Sequence, residues 1–182
     1  LDARLSLTGA LFRTETANVR ITLADGTARM AGEKRVQGVE LGFAGNITSA
    51  WQVFGGYTFL DSELVSAGGS GANFGLANGD SFPNTPKNSA SLWTTYRVLP
   101  KLVVGGGAFY MDKVWGSELN NKWVPSYVRV DATATYEFSP AYSLQINVQN
   151  LTDERYFDKA YPTHYANVAP GRSATATLNV RF

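Results

Sequence analysis

The chain has 182 residues, a net charge of +1 and no cysteine. This charge provides no basic surface for a phosphate backbone, so the composition disfavours nucleic-acid binding. Without cysteine, a disulfide scaffold and a thiolate metal site are excluded. Hydrophobic residues make up 44% of the chain and the mean hydropathy is -0.16, which is too polar for a bundle of membrane helices.

Segments in which apolar and polar residues alternate follow one another along the chain, each bounded by turn residues. The predicted strands cover residues 3 to 15, 34 to 46, 51 to 63, 87 to 98, 101 to 112, 126 to 138, 142 to 151 and 172 to 182. A tilted strand needs about 9 to 11 residues to cross a bilayer, and these segments are long enough. The longest apolar run, Leu102–Met111, is far shorter than the roughly 20 residues of a membrane-spanning helix.

Short and long connections alternate between these predicted strands. The short ones are 47 to 50, 99 to 100 and 139 to 141, and the long ones are 16 to 33, 64 to 86, 113 to 125 and 152 to 171. Outer-membrane barrels have short periplasmic turns and long extracellular loops, whereas a soluble sandwich has no reason to alternate. The pattern predicts an all-β fold, an antiparallel transmembrane β-barrel segment. A soluble antiparallel sandwich rich in tyrosine is the alternative.

The faces of several strands can be predicted from their alternation. In the strands 126 to 138, 142 to 151 and 172 to 182, apolar residues lie on one face, and we expect the polar ones to line a lumen. In the strand 101 to 112, the residues Leu102–Met111 are apolar or glycine on both sides, so the facing of this strand stays unassigned. Aromatic residues, 13% of the chain, suit the girdles at the two membrane interfaces.

Aromatic, cationic and amide side chains in the long loops are candidates for ligand binding. Rings beside cations can bind an anionic, ring-bearing ligand by stacking, cation–π contact and charge attraction. The candidates are Trp115, Tyr156, Tyr161, His164, Tyr165, Asn167 and Arg172. The alternative for each is an ordinary role in loop packing or in an interface girdle. His164 is the only histidine, so a site with two imidazoles is excluded.

Several stretches, in order along almost the whole chain, resemble the C-terminal end of TonB-dependent siderophore receptors. They are RVQGVEL at 35 to 41, FGGYTFLDSE at 54 to 63, PNTPKNS at 83 to 89, LWTTY at 92 to 96, YVRVDA at 127 to 132, NLTDERY at 150 to 156 and APGRS at 169 to 173. The last strand, which ends on the aromatic residue Phe182, completes the resemblance. This ending is most similar to the catecholate-siderophore branch.

The resemblance implies a barrel of about 22 strands plugged by an N-terminal globular domain. We therefore expect residues 1 to 182 to be its C-terminal part, with the plug and the N-terminal strands absent from this chain. The implied function is import of a ferric siderophore, of the catecholate class, across the outer membrane of a Gram-negative bacterium. The implied partners are the TonB–ExbB–ExbD complex, acting through the plug, outer-membrane lipid, and the barrel assembly machinery, for which Phe182 resembles the signal. Since the chelator ligates the iron, no protein metal site and no cofactor are expected.

Two other functions stay open at this point. The chain could form a complete eight-stranded barrel of the small OmpA type with a structural role. It could also belong to an outer-membrane protease or lipase, which needs an acid, a histidine and a nucleophile at the barrel rim. The single histidine, His164, lies in a long loop, which disfavours an enzyme, and no catalytic residue is assigned.

Overall fold

The computed structural model describes residues 5–22, 28–66, 78–117, 119–162 and 164–182. The strands in these ranges are β1 Leu5–Thr22, β2 Ala28–Asn46, β3 Trp51–Ser66, β4 Asn88–Leu99, β5 Leu102–Met111, β6 Val114–Trp115, β7 Trp123–Val124, β8 Tyr127–Ser139, β9 Tyr142–Gln149, β10 Phe157–Ala160, β11 Ala166–Val168 and β12 Ser173–Val180. Among the described residues, no helix has the length and apolar character needed to span a membrane.

Eight of these strands form one sheet in the order β1-β2-β3-β4-β5-β8-β9-β12. Every neighbouring pair is antiparallel, from β1 with β2 to β9 with β12. Strands that neighbour each other in the sheet therefore follow one another along the chain, with only the short strands β6, β7, β10 and β11 between them. The predicted antiparallel barrel segment of eight strands is confirmed.

Three predicted loops contain more strand than expected. β1 runs to Thr22 and β2 begins at Ala28, so most of the predicted loop 16 to 33 is a paired ladder, and residues 23 to 27 lie outside the described part. The predicted loops 113 to 125 and 152 to 171 contain the hairpins β6–β7 and β10–β11. The segment from Thr16 to Thr22 in fact keeps the alternation, with Ala17, Val19 and Ile21 between polar residues. The strands of the two hairpins have only 2 to 4 residues, which is too short to show an alternation in the sequence.

The register assigns the facing of β5, which the sequence left open. Ala108 is paired with Leu92 on one side and with Val130 on the other, so Ala108 shares their apolar outer face. Gly107 is paired with Trp93 and Asp131, which lie on the opposite face. The apolar outer face carries Leu102, Val104, Gly106, Ala108 and Tyr110, and the lumen face carries Val103, Gly105, Gly107, Phe109 and Met111.

Large apolar side chains are exposed in rows along the outer face of the sheet. Leu11 is 82% exposed, and Leu92, Ile146 and Leu178 are also exposed. A water-soluble protein rarely exposes so large an apolar surface, whereas a barrel wall turns it to lipid. Side chains that alternate with these rows are polar, as in Ser143, Gln145, Asn147 and Gln149 of β9. The predicted lumen facing of β9 agrees with this arrangement.

Side-chain hydrogen bonds on the lipid-facing side link β3, β4 and the residue that follows β5, at the end of the sheet where the long loops begin. The Tyr57 hydroxyl donates to Asn88 Oδ1 at 2.7 Å, and Asn88 Nδ2 donates to Asp112 Oδ2 at 2.9 Å. The bond from Asn88 is the main cause that lowers the pKa of Asp112, which follows β5. Polar groups of this kind suit the boundary at which the apolar band ends and the loops begin.

Close backbone approach explains a glycine run in β5. A Cβ at Gly107 would lie 2.4 Å from the Trp93 ring and 2.5 Å from the Leu92 carbonyl oxygen. The indole therefore lies over the space that a side chain would take, on the strand next to β5. Glycine is required at this position because of packing between neighbouring strands.

Candidate functional site

The loops that follow β3, β5 and β9 all leave the sheet at the same end, because alternate connections of antiparallel strands lie together. We call these segments, residues 78–87, 112–126 and 150–171 without residues 118 and 163, the loop cluster. Its core consists of the buried residues Val114, Val124 and Ala160, with Phe157 and Ala166 packed against them. The hairpins β6–β7 and β10–β11 therefore form one folded unit.

Asn84 connects all three parts of the loop cluster. Its Nδ2 donates to the Ala160 carbonyl oxygen at 3.0 Å, and its Oδ1 accepts from the Ala160 backbone N–H at 2.9 Å. The backbone N–H of Asn84 also donates to the Trp115 carbonyl oxygen at 2.8 Å. One residue of the loop after β3 therefore binds both β6 and β10.

Asn120 makes a second connection of the same type. Its Oδ1 accepts from the Ser81 backbone N–H at 2.9 Å, while its Nδ2 donates to the Ser81 carbonyl oxygen at 2.8 Å. The loop after β3 is thus attached to the β6–β7 hairpin at two separate points, Ser81 and Asn84.

Asn150 holds the base of the last loop and is only 1% exposed. Its amide exchanges two hydrogen bonds of 2.9 Å with the backbone of Glu154, and its own N–H donates to Asp131 Oδ1 at 2.9 Å. Asp131 is buried on the lumen face of β8 and also accepts from Arg129 at 3.0 Å. The NLTDERY turn is therefore anchored to the barrel wall through one carboxylate.

An exposed group of rings, which we call the ring cluster, consists of Trp123, Tyr161, His164 and Tyr165. The ring centroids of Tyr161 and Tyr165 are 6.0 Å apart, and those of His164 and Tyr165 are 4.7 Å apart, both in edge-on geometry. These four residues line a cleft of about 240 Å³ together with Lys122, Val124, Ala160 and Ala166. Tyr165 is 59% and Trp123 is 56% exposed, so the rings are accessible from outside.

Cations lie against the aromatic rings of the loop cluster. Lys113 Nζ is 4.6 Å from the Trp115 ring centroid and 5.9 Å from that of Trp123. Lys159 Nζ is 5.2 Å from the Tyr161 ring centroid. Ammonium groups at these distances are attracted to the ring faces, and they give the cleft a positive border.

The structure brings some of the predicted ligand residues together and separates others. Tyr161, His164 and Tyr165 lie in the ring cluster, and Trp115 lies beside it across Lys113. Tyr156 is buried and stacks on Tyr127 with centroids 4.1 Å apart, so its contacts are those of packing.

The other two predicted ligand residues make hydrogen bonds within the loop after β9. Asn167 Nδ2 donates to Asp158 Oδ1 at 2.7 Å, between β11 and β10. The Arg172 backbone N–H donates to Asp153 Oδ1 at 2.8 Å, and its guanidinium lies 3.4 Å from the Leu151 carbonyl oxygen. Both residues are exposed, and ligand binding by either stays a prediction.

The sequence reasoning missed the residues that hold the loops in place, Asn84, Asn120, Asn150 and Asp131. Rings beside cations, the pattern that selects the ligand candidates, do not identify amides in turns or a carboxylate on the lumen face. A signal was present for three of them, because Asn84 lies in PNTPKNS, Asp131 in YVRVDA and Asn150 in NLTDERY. No group of three or more His, Cys, Asp or Glu residues that could hold a metal ion occurs in the described part of the chain.

The family model "TonB dependent receptor-like, beta-barrel" matches residues 1–151. The probable TonB-dependent siderophore receptor PiuA of Acinetobacter baumannii is 50% identical over 187 residues, which cover 100% of this chain and 25% of that protein. The catecholate siderophore receptor Fiu of Escherichia coli K12 is 35% identical over 188 residues, which cover 100% of this chain and 24% of that protein. The names of both describe receptors, not enzymes.

Solved structures of the same two proteins resemble the fold. The crystal structure of PiuA has a TM-score of 0.87 at 49% identity, over 97% of this chain and 26% of that one. The closed form of Fiu has a TM-score of 0.82 at 33% identity, over 98% of this chain and 25% of that one. The chain spans about a quarter of the length of the curated relatives that it matches.

Proposed function

We propose, from the premise that this chain belongs to the TonB-dependent receptor β-barrel family, that it forms part of the wall and outer mouth of a ferric siderophore importer. The barrel lies in the outer membrane of a Gram-negative bacterium. The substrate is a ferric siderophore of the catecholate class, and its import is driven by the TonB–ExbB–ExbD complex. This complex acts through a plug domain encoded outside the residues described.

The observation that carries the proposal is the full-length match of the chain to siderophore receptors. Its similarity to Fiu, a catecholate siderophore receptor, supports the substrate class. The receptor function is favoured over a complete small barrel, because the whole chain aligns with about a quarter of each relative.

The ring cluster supports the substrate class on chemical grounds. A ferric catecholate complex is anionic and carries flat aromatic rings, so it suits a cleft that has both cations and exposed rings. Lys122 and Lys159 border the rings of Tyr161 and Tyr165. In this proposal the chelator supplies all the iron ligands, and the protein contributes no metal site, no cofactor and no catalytic residue.

Two further partners and one exclusion belong to the same proposal. The apolar outer face contacts outer-membrane lipid, the barrel assembly machinery inserts the barrel, and nucleic acid is not a partner. The near-neutral net charge of +1 supports the last point.

Equilibrium binding of a ferric catecholate to the purified full-length receptor tests the substrate class. Tyr165→Ala removes an exposed ring worth about 1 kcal/mol of stacking and cation–π contact, so we expect Kd to rise about fivefold or more. Tyr142→Ala is the matched control, because Tyr142 lies on the lipid-facing side at the far end of the sheet. Equal affinity of wild type and Tyr165→Ala would remove the ring cluster from the proposal.

A further inference from the structure

Asn84 occupies the place at which three loops meet, and nothing in the receptor function itself accounts for this arrangement. We propose that Asn84 is a positioning residue that makes the loop cluster move as one unit and holds the ring cluster ready for ligand. Its coupling of the loops stands on geometry alone, while its effect on ligand affinity rests on the proposed function.

The Asn84 amide pairs in both directions with the backbone of Ala160. The side-chain N–H donates to the Ala160 carbonyl oxygen at 3.0 Å, and the side-chain oxygen accepts from the Ala160 N–H at 2.9 Å. Two neighbouring β-strands exchange hydrogen bonds in the same way. Ala160 is 4% exposed, so these bonds are shielded from water. Breaking them leaves a buried peptide group without its partner, which is costly.

The turn that carries Asn84 is rigid. Its φ is 52°, in the left-handed region that asparagine and glycine adopt more readily than other residues. Pro83 and Pro86 fix φ on both sides, and the Thr85 hydroxyl donates to the Pro83 carbonyl oxygen at 3.2 Å. The amide is therefore presented by a backbone with little freedom.

Asn84 is connected to the rings of the cleft through few residues. Ala160 immediately precedes Tyr161, whose backbone N–H donates to the Tyr165 carbonyl oxygen at 3.2 Å. Gly116 packs closely against the backbone of Tyr161, since a Cβ at Gly116 would lie 2.5 Å from the Tyr161 carbonyl oxygen. Displacement of Ala160 would therefore displace two rings of the cleft.

A ligand that binds to loops already in place does not have to order them. Side chains and loops that must be immobilised on binding reduce the affinity that the same contacts would otherwise give. Loss of the Asn84 amide should lower the fraction of molecules whose loops are correctly placed, and ligand affinity should fall in proportion. Asn84 itself is not required to touch the ligand.

Pulsed electron paramagnetic resonance on the full-length receptor tests the coupling without any ligand. This chain has no cysteine, so with any cysteine elsewhere in the receptor replaced, labels can be attached at Leu119→Cys and Pro162→Cys, near the tips of the two hairpins. Asn84→Gly removes the amide while glycine tolerates the positive φ and keeps the N–H that binds Trp115. We expect the distance distribution to broaden by about twofold or more.

The matched control is Asn121→Ala. In the part of the chain that the structure describes, Asn121 Oδ1 accepts only from the Ser117 hydroxyl of the same hairpin, at 3.3 Å. Its distribution should keep the wild-type width. Asn84→Asp provides a second variant in case Asn84→Gly does not reach the membrane. Aspartate keeps the acceptor for the Ala160 N–H, loses the donor and places an oxygen against the Ala160 carbonyl oxygen, so the same broadening is expected. A wild-type width in every Asn84 variant that folds would overturn the proposal.

Ferric catecholate binding and uptake separate a positioning role from a merely structural one. We expect Asn84→Gly to raise Kd about tenfold, with an unchanged receptor level in the membrane and an unchanged maximal uptake rate. Equal Kd values, or a fall in receptor level that accounts for the whole loss, would overturn the positioning role. If the wild type binds no ferric chelate, the proposed function fails, whereas the label distances still decide whether Asn84 couples the loops.

Discussion

Three asparagines stabilise the loops by hydrogen bonds, whereas apolar residues stabilise the core of a soluble protein. Asn84, Asn120 and Asn150 have φ values of 52°, 50° and 52°. The amides of Asn84 and Asn120 bind the backbone of another loop, and the amide of Asn150 binds the backbone of its own turn. An asparagine can adopt the left-handed region and still offer both a donor and an acceptor. Glycine can match the first property and not the second, so substitution by glycine separates the two contributions.

Asn150→Ala should destabilise the last loop strongly. The change removes two amide bonds to Glu154 from a buried site and places alanine at a φ of 52°. Each effect costs about 1 to 3 kcal/mol. We expect faster protease cleavage within residues 150–171 of the folded receptor, whereas the exposed neighbour Thr152→Ala should be cleaved like the wild type. Identical cleavage rates for Asn150→Ala and wild type would contradict the anchoring role.

Gly107→Ala should destabilise the barrel wall, because its methyl group has no room between the Trp93 ring and the Leu92 carbonyl oxygen. Overpacking of this kind costs about 1 to 3 kcal/mol. The measurement is the midpoint of urea unfolding in lipid vesicles. Gly9→Ala is the control, since the nearest atom to its Cβ, on Leu41, would be 3.5 Å away. If both variants unfold at the same midpoint, the close approach of Trp93 does not affect the free energy of unfolding, which would contradict this prediction.

At the scale of elements, the eight sheet strands could be predicted because their signal is local. Alternation of apolar and polar side chains sets both the strand and its facing, as in Tyr142–Gln149. The facing of β5 could not be predicted, because only pairing with Trp93 and Asp131 identifies its lumen side. The hairpins β6–β7 and β10–β11 were missed because the core around Val114 and Ala160 that holds them forms only in the fold.

The same limit applies to the candidate site. Sequence reasoning could select Tyr161, His164 and Tyr165 by residue type, and these three lie together. Trp123 was not among the selected residues, although it joins them from a different hairpin, and the sequence could not exclude Tyr156 from the exposed surface. Contacts between residues of different loops depend on the three-dimensional positions of the loops, which the sequence pattern does not give.

The facing of β5 can be tested with two adjacent valines. Val104 lies on the lipid side and Val103 on the lumen side. An arginine on the lipid side costs up to about 2 to 4 kcal/mol, less near the interfaces, while the lumen side is polar. We expect Val104→Arg to lower the folded fraction on heat-modifiability gels more than Val103→Arg does. The reverse order would show that the facing is wrong.

At the scale of the whole molecule, the sheet is a wall with apolar rows on one face and polar rows on the other. Its outermost strands, β1 and β12, each pair with one neighbour here. An unpaired strand edge in lipid is costly, because backbone groups have no water to bind. The two edges of this sheet therefore need partner strands, as in a segment of a larger closed barrel.

Deletion of Phe182 should lower the amount of full-length receptor in the outer membrane. This aromatic residue follows β12, and we propose that it is part of the signal read by the barrel assembly machinery. A lower level would then reflect weaker recognition by the barrel assembly machinery. Phe182→Tyr keeps the aromatic ring and should assemble normally. Unchanged levels of the deletion variant on heat-modifiability gels would contradict the assembly role.

The most direct test of the receptor function is uptake of radioiron-labelled catecholate chelates by an iron-starved host that lacks its own catecholate receptors. The full-length receptor should support uptake in cells with TonB and give only background uptake in cells without TonB. Background uptake of every catecholate tested, with the receptor present in the outer membrane of cells that have TonB, would contradict the account.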